Sequence, residues 1–220
     1  MSDCAGEMLR ALGNSELIAG YCDDLSVAGE DPWELTIELE WKDVGKLRIS
    51  PLALADFWAL REWWNLSLSH RSKYMFFLFP EDERKDRYIA NHIKDHETRK
   101  SLVFNAWRVA DDSTARFDSE IIGNFFVLDC PSDKPIVGIA IADKFHHKKL
   151  GLLFMSILIR ATKMLGKKEL WLTTSVENKT GHGLYQRVGF QDVGQKEVDV
   201  AVESYKRMEY EMKLDLESIE

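Results

Sequence analysis

A chain of 220 residues, 45% hydrophobic and 30% charged, is long enough to bury a core and has ordinary globular composition, which excludes wholesale disorder. Its 29 basic and 37 acidic residues give a formal charge of −8, so no net basic field favours nucleic acid; the excess either maintains solubility or draws a cationic partner. Cys4, Cys22 and Cys130 are odd in number and lack CxxC spacing, which argues against a disulfide framework or a thiolate zinc site. No window approaches the ~20 apolar residues of a membrane helix, and the first twenty residues lack a basic start and a continuous apolar run. The expectation is a soluble, cytoplasmic protein that does not engage a membrane.

In chain order, residues 1–32 read as a poorly defined leader, with Met8, Leu9, Leu12, Leu17, Ile18 and Tyr21 interrupted by Gly13 and Gly20. One domain is expected over 33–220. Leu35, Ile37, Leu39 and Trp41 alternate with Thr and Glu as a half-buried strand does, and the turn at 42–45 leads into a second strand, Lys46 to Ser50. Leu52 to Trp64 has helical spacing. The aromatic run Tyr74, Met75, Phe76, Phe77 and Phe79 suits helix-to-helix packing, with a ligand role as the alternative. Asp82 to His96 is helical with a stripe of Tyr88, Ile89 and Ile93. His92 and His96, one turn apart, could chelate a metal, but no third ligand is in view and a solvated face is expected. Strands follow at Leu102–Val109, Glu120–Asp129 and Ile136–Ala142, with a polar loop at 111–118 and a turn at 131–135. Gly151 opens an apolar helix closed by Gly166. A strand, Glu169–Thr174, a helix, Lys179–Val188, and two strands, Phe190–Asp199 and Tyr205–Leu214, complete an α/β (α+β) sheet with helices on both faces.

Chemistry concentrates between Pro135 and Gly194. The buried strand Ile136–Ile141 runs into Asp143-Lys144-Phe145-His146-His147-Lys148-Lys149-Leu150-Gly151, and the helix follows at once. A helix start offers unpaired N–H groups and a partial positive charge, so the junction suits an anion, and His146 to Lys149 add basic character. Neither GxGxxG nor GxxxxGK[ST] occurs, which disfavours a nucleotide-binding α/β protein.

These elements, in this order, resemble the GNAT superfamily of acetyl-CoA-dependent N-acyltransferases. Its signature is a strand, a loop of the form Arg/Gln-x-x-Gly-x-Gly/Ala, a helix, a second strand, an Asn, a Tyr seven residues later and a Gly-Phe pair. Here the loop falls on His146 to Gly151, the second strand on Leu170 to Thr174, the Asn on Asn178, the Tyr on Tyr185 and the pair on Gly189-Phe190. The resemblance runs from about Leu47 to Leu214 and leaves residues 1–32 outside. It implies a mixed, mostly antiparallel sheet, splayed between the strands at Ile136–Ala142 and Leu170–Thr174. Lys149 stands where the loop's first glycine belongs and His146 where Arg/Gln belongs; the lysine is expected to fit a standard backbone angle.

The resemblance also implies a site. Backbone groups of Ile139, Ala140 and Ile141 would pair with the pantetheine arm of acetyl-CoA as an added strand. Those of about His147, Lys148, Lys149, Leu150, Gly151 and Leu152 would bind the diphosphate, beside His146. Tyr185 would stand near the sulfur as general acid. Asn178 either bonds the pantetheine or caps the following helix, and Gly181 and Gly183 mark either close approach of CoA or a late helix start. No general base is assigned among Glu120, Asp129 and Asp143. The implied reaction is direct attack of a primary amine, small-molecule or protein-borne, on the thioester, with no metal. An acyl-CoA-binding sensor or interaction protein of the same fold is the alternative, and a homodimer stays open.

Overall fold

The computed structural model describes residues 3–76, 82–110, 119–200 and 205–219. Apolar alternation builds its strands. In β2 (Thr36–Trp41), Ile37, Leu39 and Trp41 are buried while Glu38 is exposed, and a tight turn at Asp43 returns the chain as β3 (Gly45–Pro51). Nine strands form one sheet in the order β1-β2-β3-β4-β5-β6-β7-β9-β8. The others are β1 (Cys22–Ala28), β4 (Leu102–Val109), β5 (Ser119–Leu128), β6 (Ile136–Ile141), β7 (Glu169–Ser175), β8 (Gln191–Val200) and β9 (Tyr205–Asp215). Every neighbouring pair is antiparallel except β6 and β7.

The centre of the sheet is covered on both faces, which is why β5 is almost continuously apolar. Phe125 turns to α5 (Leu150–Met164) and stacks on Phe154 at 4.4 Å and 8°. Gly123 makes room for that ring, since a Cβ there would lie 2.4 Å from Phe154. Phe126, the next residue, points to the opposite face and meets His92 of α4 (Asp82–Glu97) and Phe76 of α3 (His70–Phe76). α2 (Phe57–Leu66) joins that layer through the edge-on contact of Trp64 with Tyr88.

The sequence reading changes at four places. Residues 1–32, expected as an ill-defined leader, supply α1 (Cys4–Gly13) and β1; β1 pairs with β2 at five register positions, and Cys4, Met8 and Leu12 are buried. Glu7 of α1 lies 3.4 Å from Arg160 of α5. Of the aromatic run, Phe76 packs on Phe126 of the sheet, and Met75 and Phe76 line a cleft; Phe77, Phe79 and the polar loop at 111–118 lie outside the described residues. The helix expected from Leu52 begins as a 3-10 turn at Leu54 and becomes α2 at Phe57.

The fourth change concerns His92 and His96, which are buried at 5% and 7% exposure instead of forming a solvated face. His96 Nδ1 accepts from the Val103 N–H at 3.0 Å, so its Nε2 donates to the Trp33 carbonyl, also at 3.0 Å. His92 sits between Tyr88 and Phe126. No cluster of three potential metal ligands occurs among the described residues.

Burial lowers the His92 imidazole from 6.5 to about 4. The unfolded chain therefore binds a proton that the folded chain refuses between these values, and stability falls as pH drops from 6.5 towards 4. Thermal melts should show this acid loss, up to about 3 kcal/mol from this residue. His92→Gln should flatten the slope; an unchanged slope would assign the acid sensitivity to other groups.

Candidate functional site

β6 and β7 are joined at one register position, Ile136 with Trp171, reinforced by the Trp171 N–H bonding the Pro135 carbonyl at 2.9 Å. Each strand is held far more extensively on its other side: β6 by β5 from Ile136 to Ile141, and β7 by β9 from Glu169 to Ser175. Beyond the shared position the strands part, and a cleft of about 1290 Å³ opens between them. The Ala142 N–H bonds the Ile122 carbonyl at 2.9 Å, which fixes the parity of β6. By strand alternation, Ile136, Gly138 and Ala140 turn their backbone groups to β5, while Val137, Ile139 and Ile141 turn theirs to the cleft. Of the three residues expected to pair with a ligand strand, Ile139 and Ile141 have the right orientation and Ala140 does not. His146 Nε2 already meets the Ile141 carbonyl at 3.0 Å.

At the wide end of the cleft the loop enters α5. Lys149 is its N-cap with φ 62° and ψ 8°, and His147 has φ 64°. The expectation of a standard angle at Lys149 is therefore wrong: lysine adopts the left-handed conformation usually left to glycine, at about 1 kcal/mol or more. The surrounding contacts, not the residue's own preference, impose the loop shape. No side chain caps α5 and its first turn has no acidic residue, so the Leu150 and Gly151 N–H groups precede the first helical bond and remain for an external acceptor. Gly151 permits close packing of α6 (Lys179–Arg187), because a Cβ there would lie 2.7 Å from Leu184.

Tyr185 comes from the side of α6 that faces both the cleft and the core, where it is 8% exposed and meets Phe190 edge-on at 6.1 Å. Burial raises its hydroxyl to about 12, so it carries its proton throughout the neutral range. Asn178 caps α6: its Oδ1 accepts from the Gly181 N–H and its Nδ2 donates to Thr174 Oγ1, both at 3.0 Å. Gly181 leaves room for that amide, while nothing lies within 4 Å of a Cβ built on Gly183. Both glycines sit inside a helix that starts at Lys179, not before a delayed start.

With this geometry in view, solved structures of similar shape are informative. An acetyltransferase of the GNAT family from Streptococcus pneumoniae superposes with a TM-score of 0.56 at 18% identity, covering 76% of this chain and 97% of its own. Spermidine N-acetyltransferase from Vibrio cholerae, in complex with CoA and spermine, gives 0.61 at 15% identity over 78% and 96%. A putative acetyltransferase from Salmonella typhimurium with its cofactor acetyl-CoA gives 0.59 at 16% over 77% and 94%. This chain has the GNAT fold. No family model matches the sequence, and no curated protein matches it.

The cleft is also bounded by α3 and by β8 and β9, and there it holds residues that the sequence did not single out. Arg207 directs Nε and Nη2 to Glu209 Oε1, at 2.8 and 2.5 Å, and Nη1 to the Tyr74 carbonyl at 2.6 Å. Both charged side chains are under a tenth exposed, and both line the cleft. Their only sequence signal is the i, i+2 spacing that puts opposite charges on one face of a strand.

Of the three carboxylates considered for a base, Glu120 is held by Arg108 and Lys144 and Asp129 is exposed in a turn; neither lines the cleft. Asp143 does, accepting from the Ser69 N–H at 3.1 Å. Burial works to raise its carboxyl, but hydrogen bonds from Ser69 and Ser72, with His146 nearby, hold it below the usual range. Glu177 and Glu209 are the other cleft carboxylates among the described residues.

Because Asn178 uses its amide as a cap, Asn178→Ala should lower stability by about 1 kcal/mol in denaturant melts, and Asn178→Ser should recover most of it. Equal stability of all three would show that α6 does not depend on the cap.

Proposed function

We propose that the chain is an acetyl-CoA-dependent N-acetyltransferase that acts on primary amines. The observation that carries this reading is that the open edge of β6 and the uncapped start of α5 line one cleft. An extended pantetheine would add to the Ile139 and Ile141 edge as a short strand. The diphosphate would meet the Leu150 and Gly151 N–H groups, with Lys149 in the cleft and Lys148 beside it supplying positive charge. His146 serves by bonding Ile141, and Asn178 by building α6.

In the proposed step the neutral amine attacks the thioester carbonyl, the C–N bond forms, and the C–S bond breaks. The amine proton ends on the departing sulfur, directly or through solvent. Tyr185 is the residue we assign to the sulfur. Its hydroxyl, at about 12, is a weaker acid than an alkyl thiol near ~8.5. It therefore stabilises the thiolate by donating a hydrogen bond as charge develops, and the proton that completes the thiol comes from the protonated nitrogen of the tetrahedral adduct as the amide forms. Cysteine acylation has no support: no cysteine lines the cleft, and burial raises all three thiols, Cys4 to about 11. The cleft carboxylates Asp143 and Glu177 support a cationic acceptor, consistent with the net charge, while Glu209 is already paired with Arg207.

Two variants test this reading. Ile139→Pro removes a cleft-facing N–H without breaking a β5 bond, so the protein should fold while its affinity for CoA, read by calorimetry, falls about tenfold or more. Undiminished binding would take the pantetheine off this edge. Tyr185→Phe should bind CoA normally and lose about 10²-fold or more in kcat across a panel of amines. Full activity would remove Tyr185 from the step, and CoA binding by the wild type without any turnover would favour a sensor.

A further inference from the structure

Trp41 lies ahead of Leu47, where the family resemblance begins, yet its side chain reaches the loop before α5. Its Nε1–H donates to the Lys148 carbonyl at 2.9 Å across 107 positions of sequence. The indole is completely buried and stacks on Tyr21, with ring centres 5.7 Å apart and planes at 23°. Trp41 is itself held in place from both sides, paired with Cys22 of β1 and Gly45 of β3. The bond is therefore anchored in a rigid part of the sheet.

The bonded carbonyl lies between two residues in the left-handed region, His147 and Lys149. A trans peptide is planar, so a carbonyl oxygen and the following N–H point in opposite directions. Holding the Lys148 oxygen against Trp41 turns the Lys149 N–H away from that contact, on a residue that lines the cleft. Flipping the same peptide would carry the Lys149 φ out of the positive region. That would relieve a side-chain clash that glycine would not have, and it would also turn the N–H away.

We infer that Trp41 is a positioning residue for the diphosphate loop: its indole N–H holds the 148–149 peptide in the orientation that a glycine at 149 would otherwise reach unaided. This rests on the reading of the cleft as a CoA site. The segment 4–41, through α1, β1 and β2, thereby becomes part of the cofactor machinery without touching the ligand.

The test is a double-mutant cycle in the full chain, with CoA affinity read by calorimetry and kcat measured at saturating acetyl-CoA. Trp41→Phe keeps an aromatic ring on Tyr21 and deletes the N–H. It should weaken CoA about tenfold and leave kcat within about twofold. In a Lys149→Gly background, whatever that change does by itself, the same substitution should weaken CoA by less than about twofold. An unchanged affinity in Trp41→Phe overturns the inference. So does an equal loss in both backgrounds, which would mean general loss of packing. If Trp41→Phe does not fold, benzothienylalanine at 41, which replaces the N–H with sulfur in a ring of the same shape, gives the same comparison. Failure of the wild type to bind CoA would remove the reading of the cleft, and this inference with it; binding with no coupling between 41 and 149 removes the inference alone.

Discussion

The fold turns on a parallel strand pair that is allowed to fail. A buried backbone amide or carbonyl needs a partner, and a sheet normally supplies one along its whole length. β6 and β7 meet at Ile136 and Trp171 and then separate, because each is held to its outer neighbour along its full run. What the separation leaves is an edge at Ile139 and Ile141 whose backbone groups turn to a cleft walled by protein instead of to a neighbouring strand, the Ile141 carbonyl being met by His146. A ligand with its own alternating amides can complete the sheet there. Side-chain identity matters little on such an edge, which is why the strand reads simply as apolar.

The other half of the site depends on where α5 begins. The helix is buried almost all round, and the Phe125–Phe154 stack with the cut-out at Gly123 fixes its position on the sheet. Replacing Phe154 by Ala would cost about 3–5 kcal/mol by cavity formation. The contacts that make the core also aim the helix start at the mouth of the splay. Packing, more than sequence at the loop, is what delivers the uncapped N–H groups to the cleft. This is consistent with a loop that tolerates histidine and lysine in left-handed geometry.

Much of this was legible in the sequence because the strongest patterns coincide with the elements that build the cleft. The β6–loop–α5 junction, β7, and the Asn178 to Phe190 segment all carry period and spacing together. What escaped did so for physical reasons. β1 holds Asp23, Asp24 and Ser26 and is half solvated, so it has no apolar alternation to read; only its pairing with β2 makes it a strand. His92 and His96 count as polar in any periodicity, yet a neutral imidazole packs well between aromatic rings. The angle at Lys149 depends on tertiary contacts, including one from a residue more than a hundred positions away. Arg207 and Glu209 look like the solvated face of a strand until α3 covers them.

That cover has a consequence for how the molecule responds to its ionic surroundings. Mobile ions weaken charge interactions they can surround, and the exposed Lys148 and Lys149 are of that kind. The Arg207–Glu209 pair is shielded by protein and tied to the Tyr74 carbonyl, so added salt reaches it poorly. The two ends of one cleft thus answer to different variables. In the proposed reading, ionic strength tunes how readily an anionic group settles at the helix start, while the opposite wall, where β9 and α3 are clasped together, keeps its shape.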